Sequence, residues 1–301
     1  MKKLILVFGV FASSFSAVFI RLSTAPPLVM VLYRMGLAAL LMTAYVLCCC
    51  REEVKRLSVR DVYPCVFSGF FLAVHFASYF TSLSSTSISA STFLSNMEIF
   101  FVALGSFVIL KQPISAKGWT GIAITFAGSV LIAGTALAGD GNAFVGDMLA
   151  FAAAGFMAVY TMLGTLCQRK LPTNIYTWIV YSSAALLTLG ILLISGTPVF
   201  GYGKVNLLTA IGLAVGCTLM GHSMFSMSLQ DFPAAYVSVV KLLGPVFALV
   251  QSVVIMKELP EASVVAGGFI VIGGIVYYSV HEKGLTIHGK AQPPQSSRII
   301  N

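Results

Sequence analysis

Long apolar runs separated by short polar gaps fill this chain from its first residues to near its end. A helix crossing the hydrocarbon core needs about 20 mostly apolar residues. Ten segments meet that need, at approximately 4–20, 27–50, 62–83, 88–110, 118–138, 145–166, 175–195, 205–227, 234–256 and 264–280. The gaps hold the breakers Pro113, Pro172, Pro198, Pro233 and Pro260, and Gly139-Asp140-Gly141-Asn142 stands near the midpoint. The pattern predicts an all-α integral membrane protein with ten transmembrane helices. Residues 283–301 are polar, contain Pro293-Pro294 and read as a disordered cytoplasmic tail.

Composition agrees. Of 301 residues 58% are apolar and 9% charged, against roughly 45–50% and about 25% in soluble domains. The net charge of +8 would suggest nucleic acid in a soluble chain, but here the cations sit in gaps between apolar segments, so no nucleic-acid partner is assigned. With the amino terminus inside, thirteen cations fall on the inner face: Lys2, Lys3, Arg51, Lys55, Arg56, Arg60, Lys111, Lys117, Arg169, Lys170, Lys283, Lys290 and Arg298. Only Arg21, Lys204 and Lys257 fall outside, while Arg34 and Lys241 lie within spans. That asymmetry predicts a multi-pass protein of the plasma (cytoplasmic) membrane with both termini cytoplasmic. Met1-Lys2-Lys3 before an apolar run ending in small residues also fits a signal peptide; the repeat below favours a retained first helix. The six cysteines have no metal-knuckle spacing and are read as reduced, with no disulfide and no metal.

The sequence matches itself at an offset of 146 residues. Gly9 and Ala12 match Gly155 and Ala158, Ala38-Ala39-Leu40-Leu41 matches Ala184-Ala185-Leu186-Leu187, and Ser82-Leu83 matches Ser228-Leu229. Phe101, Ser106, Val108-Ile109 and Lys111 match Phe247, Ser252, Val254-Ile255 and Lys257; Gly121 and Gly128 match Gly267 and Gly274. Five spans per copy is an odd number, so the copies enter the membrane in opposite senses. The ten helices are therefore expected as two inverted five-helix repeats, 1–139 and 140–282, the architecture of many secondary transporters.

Polar residues within the spans are costly and mark candidate sites. Ser91, Ser95, Glu98 and Gly105 fall on one stripe of the fourth helix, and Ala234, Ser238, Lys241, Pro245 and Ser252 on one stripe of the ninth. The repeat pairs Lys241 with Ser95, one turn from Glu98, so these stripes are expected to face each other. Glu98 and Lys241 then line one cavity and pair directly or through substrate; an ion pair that only fixes helix register is the alternative. Pro245, taken as the one proline inside a span, frees the Lys241 carbonyl and is the candidate hinge. Ser68, His75, Tyr79 and Ser82 share a face of the third helix, and Thr218, His222, Phe225 and Ser226 a face of the eighth, making His75 and His222 candidates for substrate binding or proton relay. Arg34 is either an interfacial anchor or a cavity residue. The expected substrate site comprises Glu98, Lys241, His75, Tyr79, His222, Ser95, Ser238, Phe225 and Arg34, with no cofactor. Tyr33, Tyr79, Tyr160 and Phe225 would suit a flat or cationic substrate. Gly121, Gly128, Gly267-Gly268 and Gly273-Gly274 allow close helix packing, within the chain or in a homodimer.

With Leu32-Tyr33-Arg34-Met35, Val74-His75-Phe76-Ala77-Ser78-Tyr79, Gly221-His222-Ser223 and the Lys257-Glu258-Leu259 turn, the chain resembles the drug/metabolite transporter superfamily, in the branch built from two EamA domains, over about residues 4 to 280. In similar proteins the fourth and ninth helices often carry Glu-Pro or Gln-Pro at midspan; here Met97-Glu98 and Gly244-Pro245 stand there. The resemblance implies alternating-access transport of a small polar or amphipathic metabolite, an amino acid or related compound, with export the commoner direction. Glu98 is the candidate proton carrier, whereas a permanent Lys241 partner favours facilitated diffusion. An intramembrane enzyme is disfavoured because the spans hold no pair of aspartates, no His-Glu-x-x-His helix and no recognisable serine nucleophile. A sensor or scaffold would need a larger soluble part.

Overall fold

The computed structural model describes residues 1–86, 88–133, 143–251, 254 and 262–282. Among them the chain is helical, without strands. Seven stretches are long and apolar enough to cross a membrane: Lys2–Arg21, Pro27–Cys49, Val59–Ser85, Ala90–Val108, Phe144–Cys167, Thr173–Ile194 and Gly203–Ser228. Three shorter apolar helices, Ala116–Ile132, Ala234–Ala248 and Val265–His281, stand where the fifth, ninth and tenth spans were expected. The midpoint loop, Ser252, Lys257-Glu258-Leu259 and the tail lie outside the described residues.

The helices are α1 (Lys2–Ser14), α2 (Ser16–Arg21), α3 (Pro27–Cys49), α4 (Arg51–Lys55), α5 (Val59–Ser85), α6 (Ile88–Ser95), α7 (Glu98–Val108), α8 (Ala116–Ala133), α9 (Phe144–Cys167), α10 (Thr173–Ile194) and α11 (Gly203–Ile211). A π-helical stretch, Gly212–His222, leads into α12 (Ser223–Ser228), followed by α13 (Ala234–Lys241), α14 (Gly244–Gln251) and α15 (Ala262–His281). Local chemistry sets the starts. Pro27 occupies the first turn of α3, where its missing N–H costs nothing. Ser58 and Asp61 form a reciprocal capping box on α5. Pro64 also lies inside α5, so Pro245 is not alone within a span. Pro64 is tolerated because it sits near the helix start, where the carbonyl it leaves unbonded belongs to exposed Arg60.

Two buried apolar clusters meet in the middle. One joins α3, α5, α9 and α10 with the π-helical stretch; the other joins α1, α7, α9, α12, α13 and α15. Large apolar side chains such as Leu40, Phe67, Leu104, Phe107, Leu186 and Phe269 remain exposed on the outside, as a lipid-facing surface requires. The expected glycine face is used within the chain, where α8 packs along α15.

Side-chain ties join helix ends in two sets. At one end of the bundle, Lys2 Nζ lies 2.5 Å from Asp231 Oδ1 and Ser115 Oγ donates to Glu282 Oε2 at 2.6 Å. At the other, Thr86 Oγ1 donates to Asp147 Oδ1 at 2.8 Å and Tyr33 donates its hydroxyl to the Val199 carbonyl at 2.7 Å. Also there, buried Asn206 clamps the turn between α2 and α3, its Oδ1 accepting from Ser23 Oγ at 2.8 Å, Thr24 N at 2.9 Å and Ala25 N at 3.1 Å. Asn206→Ala strands those backbone donors, and a loss of about 1–3 kcal/mol is expected. Detergent unfolding measures it; an unchanged midpoint would mean that the turn holds without the clamp.

Candidate functional site

Three helices break around one region, and two of the breaks fall at repeat-equivalent positions. The first span breaks at Phe15, the fourth at Asn96-Met97 and the ninth at Leu242-Leu243. The last two are separated by 146 residues, the repeat offset. At both, the chain tightens: Met97 N bonds Leu94 O at 3.1 Å, and Leu243 N bonds Val240 O at 3.0 Å. Pro245, as expected, follows the break in the ninth span. The break in the fourth has no proline or glycine beside it, and only the repeat alignment could have signalled it. Interrupted helices expose backbone groups, which are tolerated at membrane depth where they line a cavity.

A cavity of about 160 Å³ lies there, with Phe76 and Met157 from one apolar cluster and Phe225 from the other on its wall. Of the nine residues expected to bind substrate, Glu98, Lys241, His75, Tyr79, His222, Ser95 and Phe225 line it, as does Pro245. Ser238 lies behind Glu98 and Arg34 behind Ser16 and Phe76. Tyr33 is tied to the loop at Val199, and Tyr160 bonds Ser226 Oγ at 2.9 Å; neither is among the lining residues.

Glu98 and Lys241 form an ion pair, Oε2 to Nζ 2.5 Å. The other carboxylate oxygen accepts from Thr161 Oγ1 at 3.1 Å and Ser238 Oγ at 3.2 Å. Glu98 is also the first residue of α7, where the helix dipole favours a negative charge. One carboxylate thus joins α7 in the first half to α9 and α13 in the second. Lys241 Nζ lies 5.5 Å from the Phe225 ring centre.

The two histidines pack against one ring, Phe76, with centroids 5.0 Å (His75) and 5.1 Å (His222) away. His75 Nδ1 bonds the Ala153 carbonyl at 2.9 Å, and its ring stacks on Tyr79 with centroids 6.1 Å apart. His222 packs edge-on against Phe76, centroids 5.1 Å apart, and its Nδ1 has no partner. Arg34 is fully buried, so it does not anchor at the interface. It is enclosed by Ser16, Phe76, Phe80 and Thr218, which leaves no path for its head to reach water. Among the described residues, no group of three or more His, Cys, Asp or Glu side chains is close enough to hold a metal ion.

Sequence reasoning missed the contribution of the first span. Ser13, Ser14, Ser16 and Ala17 line the cavity. These small residues are the ones that resembled the end of a leader peptide, although their polarity in an otherwise apolar run was the usable signal. Thr92, Asn96 and Thr161 were also missed.

The profile of the EamA-like transporter family matches this chain twice, over residues 2–134 and 144–280. The chain belongs to that family. Among its relatives is an uncharacterized transporter of Archaeoglobus fulgidus, 25% identical over 270 residues that cover 88% of this chain and 92% of the relative. Another is a probable amino-acid metabolite efflux pump of Salmonella typhimurium, 25% identical over 195 residues, covering 62% and 65%. A crystal structure with the same fold aligns with a TM-score of 0.77 at 17% identity, over 93% of this chain and 96% of the other. The double match makes this EamA protein a member of the drug/metabolite transporter superfamily, and its family and relatives are named as transporters rather than enzymes.

Proposed function

We propose that this EamA protein is a secondary transporter of a small polar or amphipathic metabolite, an amino acid or related compound, working by alternating access. The observation that carries the reading is the Glu98–Lys241 pair lining a cavity between two helices broken at repeat-equivalent positions. Its volume of about 160 Å³ is small beside the roughly 300–1,000 Å³ of drug-sized sites, which supports a substrate of few heavy atoms. The name of the Salmonella relative supports an amino-acid metabolite as substrate and export as the direction.

In this reading residues 1–139 and 140–282 are inverted five-helix repeats, giving ten transmembrane helices with both termini cytoplasmic, in the plasma membrane. The two sets of side-chain ties support that topology, because each set joins ends that alternate crossing would bring to one face. Access alternates about the broken helices. Towards the face bearing Lys2 and Asp231, α7 packs against α13; the other halves, α6 and α14, have no comparable packing among the described residues. The substrate therefore reaches Glu98 and Lys241 from the face opposite Lys2, and closure of α6 on α14 would reverse access. With Lys241 at 2.5 Å, Glu98 is occupied as a pairing partner, and the proposed flux runs down the substrate's own gradient without a proton.

Proteoliposome flux of amino acids tests this. Ser95→Phe, which fills the cavity, should cut flux at least tenfold without changing the unfolding midpoint. An imposed pH gradient should leave wild-type flux unchanged. Flux that survives Ser95→Phe would place the pathway elsewhere.

A further inference from the structure

Positive charge and hydrogen-bond donors around the cavity exceed what its own walls can satisfy. Lys241 and Glu98 cancel as a pair. Arg34 has no such partner: it is fully buried, and no carboxylate among the described residues pairs with it. Its Nε donates to Thr218 Oγ1 at 2.7 Å, its Nη1 to Ser16 Oγ at 3.1 Å, and its guanidinium carbon lies 3.9 Å from the Phe76 ring centre. Its Nη2 has no acceptor. Hydroxyls and a ring face solvate a guanidinium but carry no opposite charge, and an uncompensated buried ion is strongly unfavourable.

Ser16 connects this cation to the cavity. It lines the wall while its oxygen accepts from Arg34, so its own proton has to be donated elsewhere. The neighbouring Ser13 and Ser14 donate back to the carbonyls of Val10 and Phe11; Ser16 makes no such bond among the described residues. Two more lining side chains have idle nitrogens: the Asn96 amide Nδ2 and His222 Nδ1. The fixed charges at the site are thus two cations against one carboxylate.

We infer that the cavity selects a small organic monoanion, whose carboxylate accepts from the Ser16 hydroxyl backed by the Arg34 guanidinium. The inference rests on the transport reading above and adds its charge selectivity. A monoanion cancels the excess charge, a neutral zwitterion leaves it in place, and a cation increases it. The aromatic wall therefore serves packing and ring contacts rather than recognition of a cationic substrate. The Asn96 amide Nδ2, which has no acceptor of its own, supplies a second donor.

The test uses the full chain in detergent, at pH 7 and constant ionic strength, with thermal stabilisation titrated by four probes. L-glutamate and lactate carry one net negative charge, L-serine is a neutral zwitterion and L-lysine is a cation. At least one monoanion should bind at least tenfold more tightly than serine or lysine. Ser16→Ala, a mild change that removes the relay, should weaken that binding at least tenfold. Asn96→Asp adds the missing negative charge and should shift preference to L-serine. Wild-type protein stabilised best by serine or lysine would overturn the charge assignment and leave the transport reading intact. Monoanion binding that is unchanged in both variants would also overturn it. Protein that is stabilised by none of the four and moves none in liposomes would overturn both.

Discussion

Lys241→Ala is expected to destabilise the protein by about 3–5 kcal/mol, the range for removing one partner of a buried ion pair. The cost comes from what remains. Without the ammonium, the Glu98 carboxylate keeps only the Thr161 and Ser238 hydroxyls, 3.1 and 3.2 Å away, in a site where 8% of its side chain is exposed. Glu98→Gln should cost less, because Lys241 retains 15% exposure and faces the cavity, where water can reach it. The double variant Glu98→Gln/Lys241→Ala should recover most of the loss, since neither charge is then stranded. Detergent unfolding of the four proteins closes a double-mutant cycle. Additive single effects would mean that the 2.5 Å contact couples nothing. The same cycle, read by flux, separates a register-fixing pair from a substrate site: a pair that only fixes register restores flux in the stable double variant, and a substrate site does not.

Two adjacent glycines in α15 should respond to alanine with opposite signs. A Cβ at Gly274 would stand 2.5 Å from the Thr125 backbone nitrogen, and one at Gly128 would stand 2.6 Å from Val271 N and 2.7 Å from Gly267 O. Backbone cannot yield as a side-chain tip can, so α8 and α15 must separate along their length. Gly274→Ala is expected to cost about 1–3 kcal/mol, the usual penalty of overpacking; Gly274→Val should exceed it. Gly273 has nothing within 4 Å of its Cβ position. Gly273→Ala should therefore stabilise the helix, by up to about 1 kcal/mol. Unfolding midpoints that move the same way in both variants would remove the assigned α8–α15 contact.

Much of the site was legible because apolar background makes polar residues conspicuous. Helical periodicity put Glu98 and Ser95 on one stripe and Lys241 and Ser238 on another, and the 146-residue offset predicted that the stripes face each other. The ion pair and the shared cavity follow that expectation in geometry. Arg34 was legible only as a buried-span cation, not in its surroundings. Distance along a helix suggested that its head could reach the interface, but side chains from α2, α5 and the π-helical stretch close around it. The break at Asn96-Met97 was equally hidden, since the residues there have no backbone chemistry that forces one.

Membrane character, the repeat and the residues able to carry charge into the bilayer could be read from the chain alone, because hydropathy, periodicity and offset are local or additive properties. Tertiary structure decided which of those residues share a space. It put Ser16 between Arg34 and the cavity, set Thr161 beside Glu98, and left Tyr33 and Tyr160 outside the lining. Such neighbours come from different helices whose relative rotation is set by many small packing contacts, a sum that no single stretch of the chain contains.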